Sequence, residues 1–214
     1  WATSPVQVTA VTYIVQRMAS MAGLFYIMSM FFYLKGRTAD QPGRSIFYWG
    51  LCIASALLSF GSKENAVLLP ASIWLYDLLL IQGVTRENLI KNLKIFTPLV
   101  LIFGAIGLWY ANIGHILSGD AYQHRPFTLI ERLLTEPRIV IFYISLLLYP
   151  VSSRLTLIHD IPLSTSLFSP WDTLPAIALI VFFIAVAVYL SKKRPFLAFC
   201  ILFFFLNHVI ESTF

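Results

Sequence analysis

Residues 174–210 read LPAIALIVFFIAVAVYL, then SKKR, then PFLAFCILFFFLNHVI. The first run (174–190) and the second (195–210) contain no charged side chain, and the four residues between them carry Lys192, Lys193 and Arg194. A helix needs roughly 20 apolar residues to cross a hydrocarbon core of about 30 Å, and both runs come close. Two such runs joined by a short cationic turn read as a helical hairpin through a bilayer. Backbone polar groups can be satisfied there only within helices or closed barrels.

Outward from this hairpin, similar apolar runs occupy residues 10–34, 46–61, 66–82 and 95–112. Six candidate crossings give an all-α fold class, a polytopic transmembrane helix bundle. The whole composition agrees: 58% of the 214 residues are hydrophobic, 12% are charged, and the mean hydropathy is +0.79. These values lie outside the soluble globular range. No low-complexity tract or repeat interrupts the chain, so residues 1–214 are read as one membrane domain. It starts at Trp1 without a methionine and stops just after an apolar run, which is expected of a fragment of a longer membrane protein.

The formal charge of +5 is topological. Lys35, Arg37 and Arg44 share one loop, three more cations lie between Arg86 and Lys94, and three occupy the Lys192 turn. Short basic loops beside apolar helices stay in the cytoplasm. The expected partners are therefore membrane lipids, not nucleic acid. Alternation then places the N-terminus, the turn from Ser62 to Asn65, residues 113–172 and Glu211 on the outer face. Residues 139–149 are apolar but short. If they crossed, the Lys192 turn would move outside, so a re-entrant or interfacial helix is the preferred reading.

Several polar groups need an explanation at the outer face. Lys63 and Glu64 join two apolar helices with almost no loop, which is costly unless the charges are used or paired. Lys63 suits a lipid-linked phosphate and Glu64 a hydroxyl or a neighbouring cation, against the plainer role of a polar hairpin cap. Arg17, after Gln16 and one or two turns inside the first helix, calls for an anion, either a substrate phosphate or a protein carboxylate. The string from Glu131 to Arg138 alternates charge and leucine as an interfacial element does. His159 and Asp160 follow Arg154; adjacent residues usually point apart. His115, Asp120, His124 and Arg125 match no metal-site spacing, and no metal is expected. Asp77 sits at the cytoplasmic end of its helix, within reach of interfacial water or Arg86. Cys52 and Cys200 are read as packing residues. No nucleotide, zinc-protease or serine-hydrolase motif occurs.

The strings SPVQVTAVTYIVQRMASMAGLFY, SKENAVLLP with its following LYDLLL, ERLLTEPR, HDIPLSTSL and NHVIEST together resemble the multispanning region of bacterial membrane proteins with C-terminal tetratricopeptide repeats. Those are relatives of the transmembrane-and-tetratricopeptide protein O-mannosyltransferases, and the resemblance covers nearly all 214 residues. It implies a GT-C-like bundle and transfer of a sugar from a polyprenyl-phosphate donor to a hydroxyl acceptor, a protein, on the extracytoplasmic side of a bacterial inner membrane. No other cofactor is implied.

Carried over residue by residue, the resemblance assigns substrate-binding roles to Arg17, Lys63, Glu64, Glu136, Arg138 and Glu211. Ser4-Pro5 and Thr9 stand where the family has a His-Pro pair and an acid. The catalytic base of such enzymes lies in the first external loop, expected upstream of Trp1, and the repeat domain is expected downstream. A non-catalytic membrane scaffold is the alternative reading, and a transporter the third.

Overall fold

The computed structural model describes residues 14–95, 97–98, 127–151, 154–155, 159 and 161–213. Among them every regular element is helical. The helices are α1 (Ile14–Arg37), α2 (Pro42–Ser62), α3 (Leu69–Tyr76), α4 (residues 86–95), α5 (Leu129–Leu148), α6 (Thr173–Leu190) and α7 (Pro195–Thr213). Three of them begin at or beside a proline: Pro42, Pro70 and Pro195. Proline suits the first turn, where its missing N–H would have had no partner and its φ is already helical.

Four stretches are long and apolar enough to cross a membrane: Gln16–Arg37, Pro42–Ser62, Asn65–Gln82 and Thr173–Leu190. They coincide with four of the six expected crossings. Pro195–Val209 forms a shorter apolar helix, and the run at 95–112 falls almost wholly outside the described residues.

Packing follows the logic of a bilayer. Large side chains such as Ile27, Phe31, Phe47, Leu57, Phe182 and Val188 are exposed, while Ala22, Ser29, Ser55, Ser59, Ser72, Ala187 and Ala198 are buried. Without water there is no gain in hiding leucine from lipid, so small residues that let backbones approach occupy the interfaces. α1 and α2 are joined in this way. The Ser29 hydroxyl donates to the Cys52 carbonyl at 3.0 Å, and the Ser59 hydroxyl to the Ala22 carbonyl at 2.9 Å.

A second polar knot ties α1, α3 and α7 together. Tyr26 Oη lies 2.9 Å from Asn207 Oδ1 and 2.5 Å from Ser72 Oγ, and Asn207 Nδ2 lies 3.4 Å from Ser72 Oγ. One arrangement uses each hydroxyl proton once: Tyr26 donates to Asn207, Asn207 to Ser72, and Ser72 to Tyr26. Around this ring pack Ala66, Leu69, Ile73 and Phe203.

The chain from 64 to 82 is less regular than one helix. α2 ends at Ser62, Lys63 is extended, and a 3-10 stretch (Glu64–Leu68) leads into α3, which closes in a π-helical turn (Asp77–Gln82). Gly83, with φ +77°, ends it in a conformation that glycine adopts at no steric cost.

Two ends can be told apart. The last turn of α1 meets the start of the π-helical turn where Arg37 Nε reaches Asp77 Oδ1 at 3.2 Å, so the partner of Asp77 is Arg37, where the sequence offers interfacial water or Arg86. Leu75 and Leu79 pack with Ala198, Leu190 and Phe199 beside the α6–α7 turn. The loops after α1, before α4 and between α6 and α7 therefore share one end, the basic end. Arg17, Lys63, Asp172 and the end of α7 lie at the other.

The segment expected to be short at 139–149 belongs to a longer element. α5 runs 20 residues, about 30 Å at 1.5 Å per residue, and takes in the charged string as its first half. Its start is fixed by a capping box: the Thr128 hydroxyl accepts from the Glu131 N–H, and the Glu131 carboxylate accepts from the Thr128 N–H at 2.8 Å. Pro137 lies inside the helix without breaking it.

Candidate functional site opposite the basic end

After α5 the chain turns back along it. Arg154 Nη2 donates to Ser145 Oγ at 2.6 Å, the His159 ring meets the Phe142 ring at 4.8 Å, Arg138 Nη1 donates to the Pro162 carbonyl at 2.6 Å, and the Ser164 N–H donates to Thr135 Oγ1 at 2.8 Å. The numbers rise from 154 to 164 as their α5 partners fall from 145 to 135. The returning segment is a strap laid antiparallel along α5. Irregular backbone persists where neighbouring side chains cover it and satisfy its polar groups. Arg138 and Thr135 do so here.

Ser164 is the centre of this arrangement. It is fully buried, its N–H goes to Thr135, its hydroxyl lies 3.2 Å from Arg138 Nη1, and it shares a 2.8 Å bond with Thr173 Oγ1 at the start of α6. Arg138 also pairs with Asp172, Nε to Oδ2 at 2.9 Å. That contact is a charge pair without the alignment of a hydrogen bond, since the Arg138 Nε–H has no geometrically acceptable acceptor. A planar guanidinium thus clamps α5, the strap and the foot of α6.

Beside the clamp lies a cavity of about 260 Å³ between α5, α6 and α7. Its walls are apolar (Val140, Ile180, Ile184, Phe205) apart from Glu136 and His208. Glu136 pairs with Arg132 at 3.5 Å. Burial pushes its carboxyl above the usual carboxylate range, and Arg132 works against that rise. His208 Nδ1 lies 2.9 Å from the Phe204 carbonyl, so this nitrogen carries the proton, and in the neutral ring Nε2 is the acceptor.

The residues singled out in the sequence are distributed as follows. Arg17 is exposed near the start of α1. Lys63 caps α2, its N–H donating to the Ser59 carbonyl at 3.2 Å and its own carbonyl accepting from Ala66 at 3.1 Å. Ser59 bonds Ala22, so Arg17, five residues before Ala22, and Lys63, four after Ser59, both stand about 6–8 Å beyond that contact along their helices. Glu64 opens the 3-10 stretch and Glu211 falls in the last turn of α7; their side chains lie outside the described set. Glu136 and Arg138 share α5.

Ser4, Pro5, Thr9, His115, Asp120, His124, Arg125 and Asp160 lie outside the described residues. His159 packs on Phe142 and meets the Arg154 carbonyl at 2.9 Å. Among the described residues no three His, Cys, Asp or Glu side chains converge as metal ligands.

Sequence reasoning overlooked Asp172, Ser164, Thr135 and His208. Asp172 could have been found as the lone acid directly before the most apolar run of the chain, where a nearby cation was to be sought. Comparison with protein-family models, with curated proteins and with solved structures gave no match.

Proposed function

We propose that this chain is part of a membrane glycosyltransferase that moves a sugar from a polyprenyl-phosphate donor to a hydroxyl acceptor on a protein, at the extracytoplasmic face of a bacterial inner membrane. In this reading the acceptor oxygen attacks the anomeric carbon and gives its proton to a carboxylate, while the bond to the lipid phosphate breaks and the phosphate leaves with the electron pair. Cations near that phosphate lower the cost of its departure. Arg17 and Lys63 take this role; Glu64, Glu136 and Glu211 stand on the acceptor side.

The observation that supports the reading most is the outer cavity. An apolar groove between helices suits a polyprenyl chain, and a carboxyl raised by burial, with an imidazole in the same wall, suits proton transfer. The sequence resemblance points the same way.

Arg138 favours a second reading. Its Nη1 donates to Pro162 and Ser164 and its charge pairs with Asp172, contacts that suit a residue that holds the fold. Such a role is equally at home in a non-catalytic scaffold that anchors a repeat domain.

The test is glycosyl transfer from radiolabelled polyprenyl-phosphate sugars by the full-length protein in membranes, with Lys63→Ala and Glu64→Ala at matched expression. Labelled product that is lost in the variants supports the transferase. No product from the wild type across the common sugars and acceptors supports the scaffold.

A further inference from the structure

A second cavity, of about 320 Å³, lies at the opposite end of the bundle, between α1, α3 and α4. Its walls combine apolar side chains, Ile73, Trp74 and Ile95, with two cations, Arg37 and Lys91, and one carboxylate, Asp77. It is built by the π-helical turn Asp77–Gln82. The wider turn brings residues five apart toward one face, so Gln82 Nε2 donates to Asp77 Oδ2. Gln82 in turn accepts from Asn92 Nδ2 at 2.9 Å, which fixes α4 against α3.

The consequence is electrostatic. Both oxygens of Asp77 are occupied, Oδ1 by Arg37 Nε and Oδ2 by Gln82; Asp77 and Arg37 balance one another, and Lys91 leaves the wall net positive. A guanidinium has five N–H donors and an ammonium three; on Arg37, Asp77 takes the one on Nε and Tyr33 makes a further contact, so donors remain on both cations. A cationic mouth above apolar walls, among three basic loops, has the chemistry of a phosphate site: a fork and a point charge for the oxygens, and a lined slot for the carbon beside them.

We infer that this cavity binds a phosphate group, carried by an anionic lipid of the leaflet at the basic end or by a soluble phosphate. The inference is independent of the proposed sugar transfer, because it concerns the other end of the bundle.

The full-length protein is placed in nanodiscs of phosphatidylcholine, with and without phosphatidylglycerol, and its thermal unfolding and the lipid retained in native mass spectra are measured. A parallel series adds inorganic phosphate to phosphatidylcholine discs. The inference expects a higher unfolding temperature and retained lipid with phosphatidylglycerol, or a rise with inorganic phosphate alone if the ligand is soluble. Lys91→Gln weakens the binding about fivefold, the worth of one cation near an anionic headgroup. Lys193→Gln is the control. Lys193 sits at the same end but is held by Tyr189, at 2.9 Å from its hydroxyl, outside the cavity. Equal behaviour of all discs and of added phosphate overturns the inference. So does an equal loss in both lysine variants, which would mark a diffuse surface charge.

Discussion

Arg37 and Asp77, forty residues apart in the chain, form an ion pair of 3.2 Å that fastens the last turn of α1 to the π-helical turn that follows α3. The pair is unequal. The Asp77 side chain is 6% exposed and that of Arg37 is 42% exposed.

Removing the cation therefore costs more than removing the acid. Arg37→Gln strands a buried carboxylate and is expected to destabilise the bundle by about 2–3 kcal/mol, below the range for fully buried pairs because Arg37 reaches water. Asp77→Asn leaves an arginine that can turn outward, and costs less. Unfolding in mixed micelles checks the order; an Asp77→Asn loss larger than that of Arg37→Gln contradicts it.

The ring of Tyr26, Ser72 and Asn207 predicts coupling across three helices. Tyr26→Phe and Asn207→Leu each lose about 1 kcal/mol, as interhelical hydrogen bonds in membranes do. Together they cost less than the sum of the two, because either change opens the same ring. A double-mutant cycle measures this, and strict additivity would refute the ring.

At the start of α5, Thr128→Ala removes a cap and is expected to cost about 1 kcal/mol. The Glu131 carboxyl is held below the usual carboxylate range by the Thr128 N–H and hydroxyl. A folded value below the unfolded one means that the contribution is present above the unfolded value and is lost as pH falls through the folded one. Thr128→Ala keeps the backbone N–H, the larger cause, and loses the hydroxyl, so wild type loses more stability on acidification than the variant does. Parallel pH profiles of the two proteins would argue against the cap.

The clamp predicts a local effect. Arg138→Lys keeps the charge near Asp172 but loses the planar fork that also reaches the Pro162 carbonyl and Ser164. Hydrogen exchange of residues 161–172 should rise several-fold while α1 and α2 keep their protection. Uniform change along the chain would show that Arg138 does not hold the strap.

The bundle was legible in the sequence because lipid demands long apolar runs, and residues 174–190 or 46–61 fit nothing else. Its internal order was less so. Tyr26, Ser72 and Asn207 are separated by scores of residues, and nothing local marks them as one ring. The basic loops were visible as loops, but the partner of Asp77 depended on which helices pack together, and α1 won over α4. α5 was divided in reading because charge and apolarity change at Pro137, whereas the helix carries both halves once Thr128 caps it. At the candidate site Glu136 and Arg138 stood out as charges. The strap that surrounds them did not, since serine, threonine and proline in a loop look alike whether buried or free.

The central claim is that the residues around Lys63 and those around Lys192 lie at opposite ends of one membrane bundle. Its most direct test replaces Cys52 and Cys200 with alanine, introduces Lys63→Cys or Lys192→Cys singly, and labels intact cells with a membrane-impermeant maleimide before and after permeabilisation. The account predicts labelling of the Lys63→Cys protein in intact cells and of the Lys192→Cys protein only after permeabilisation. Labelling of both from the same side would contradict it.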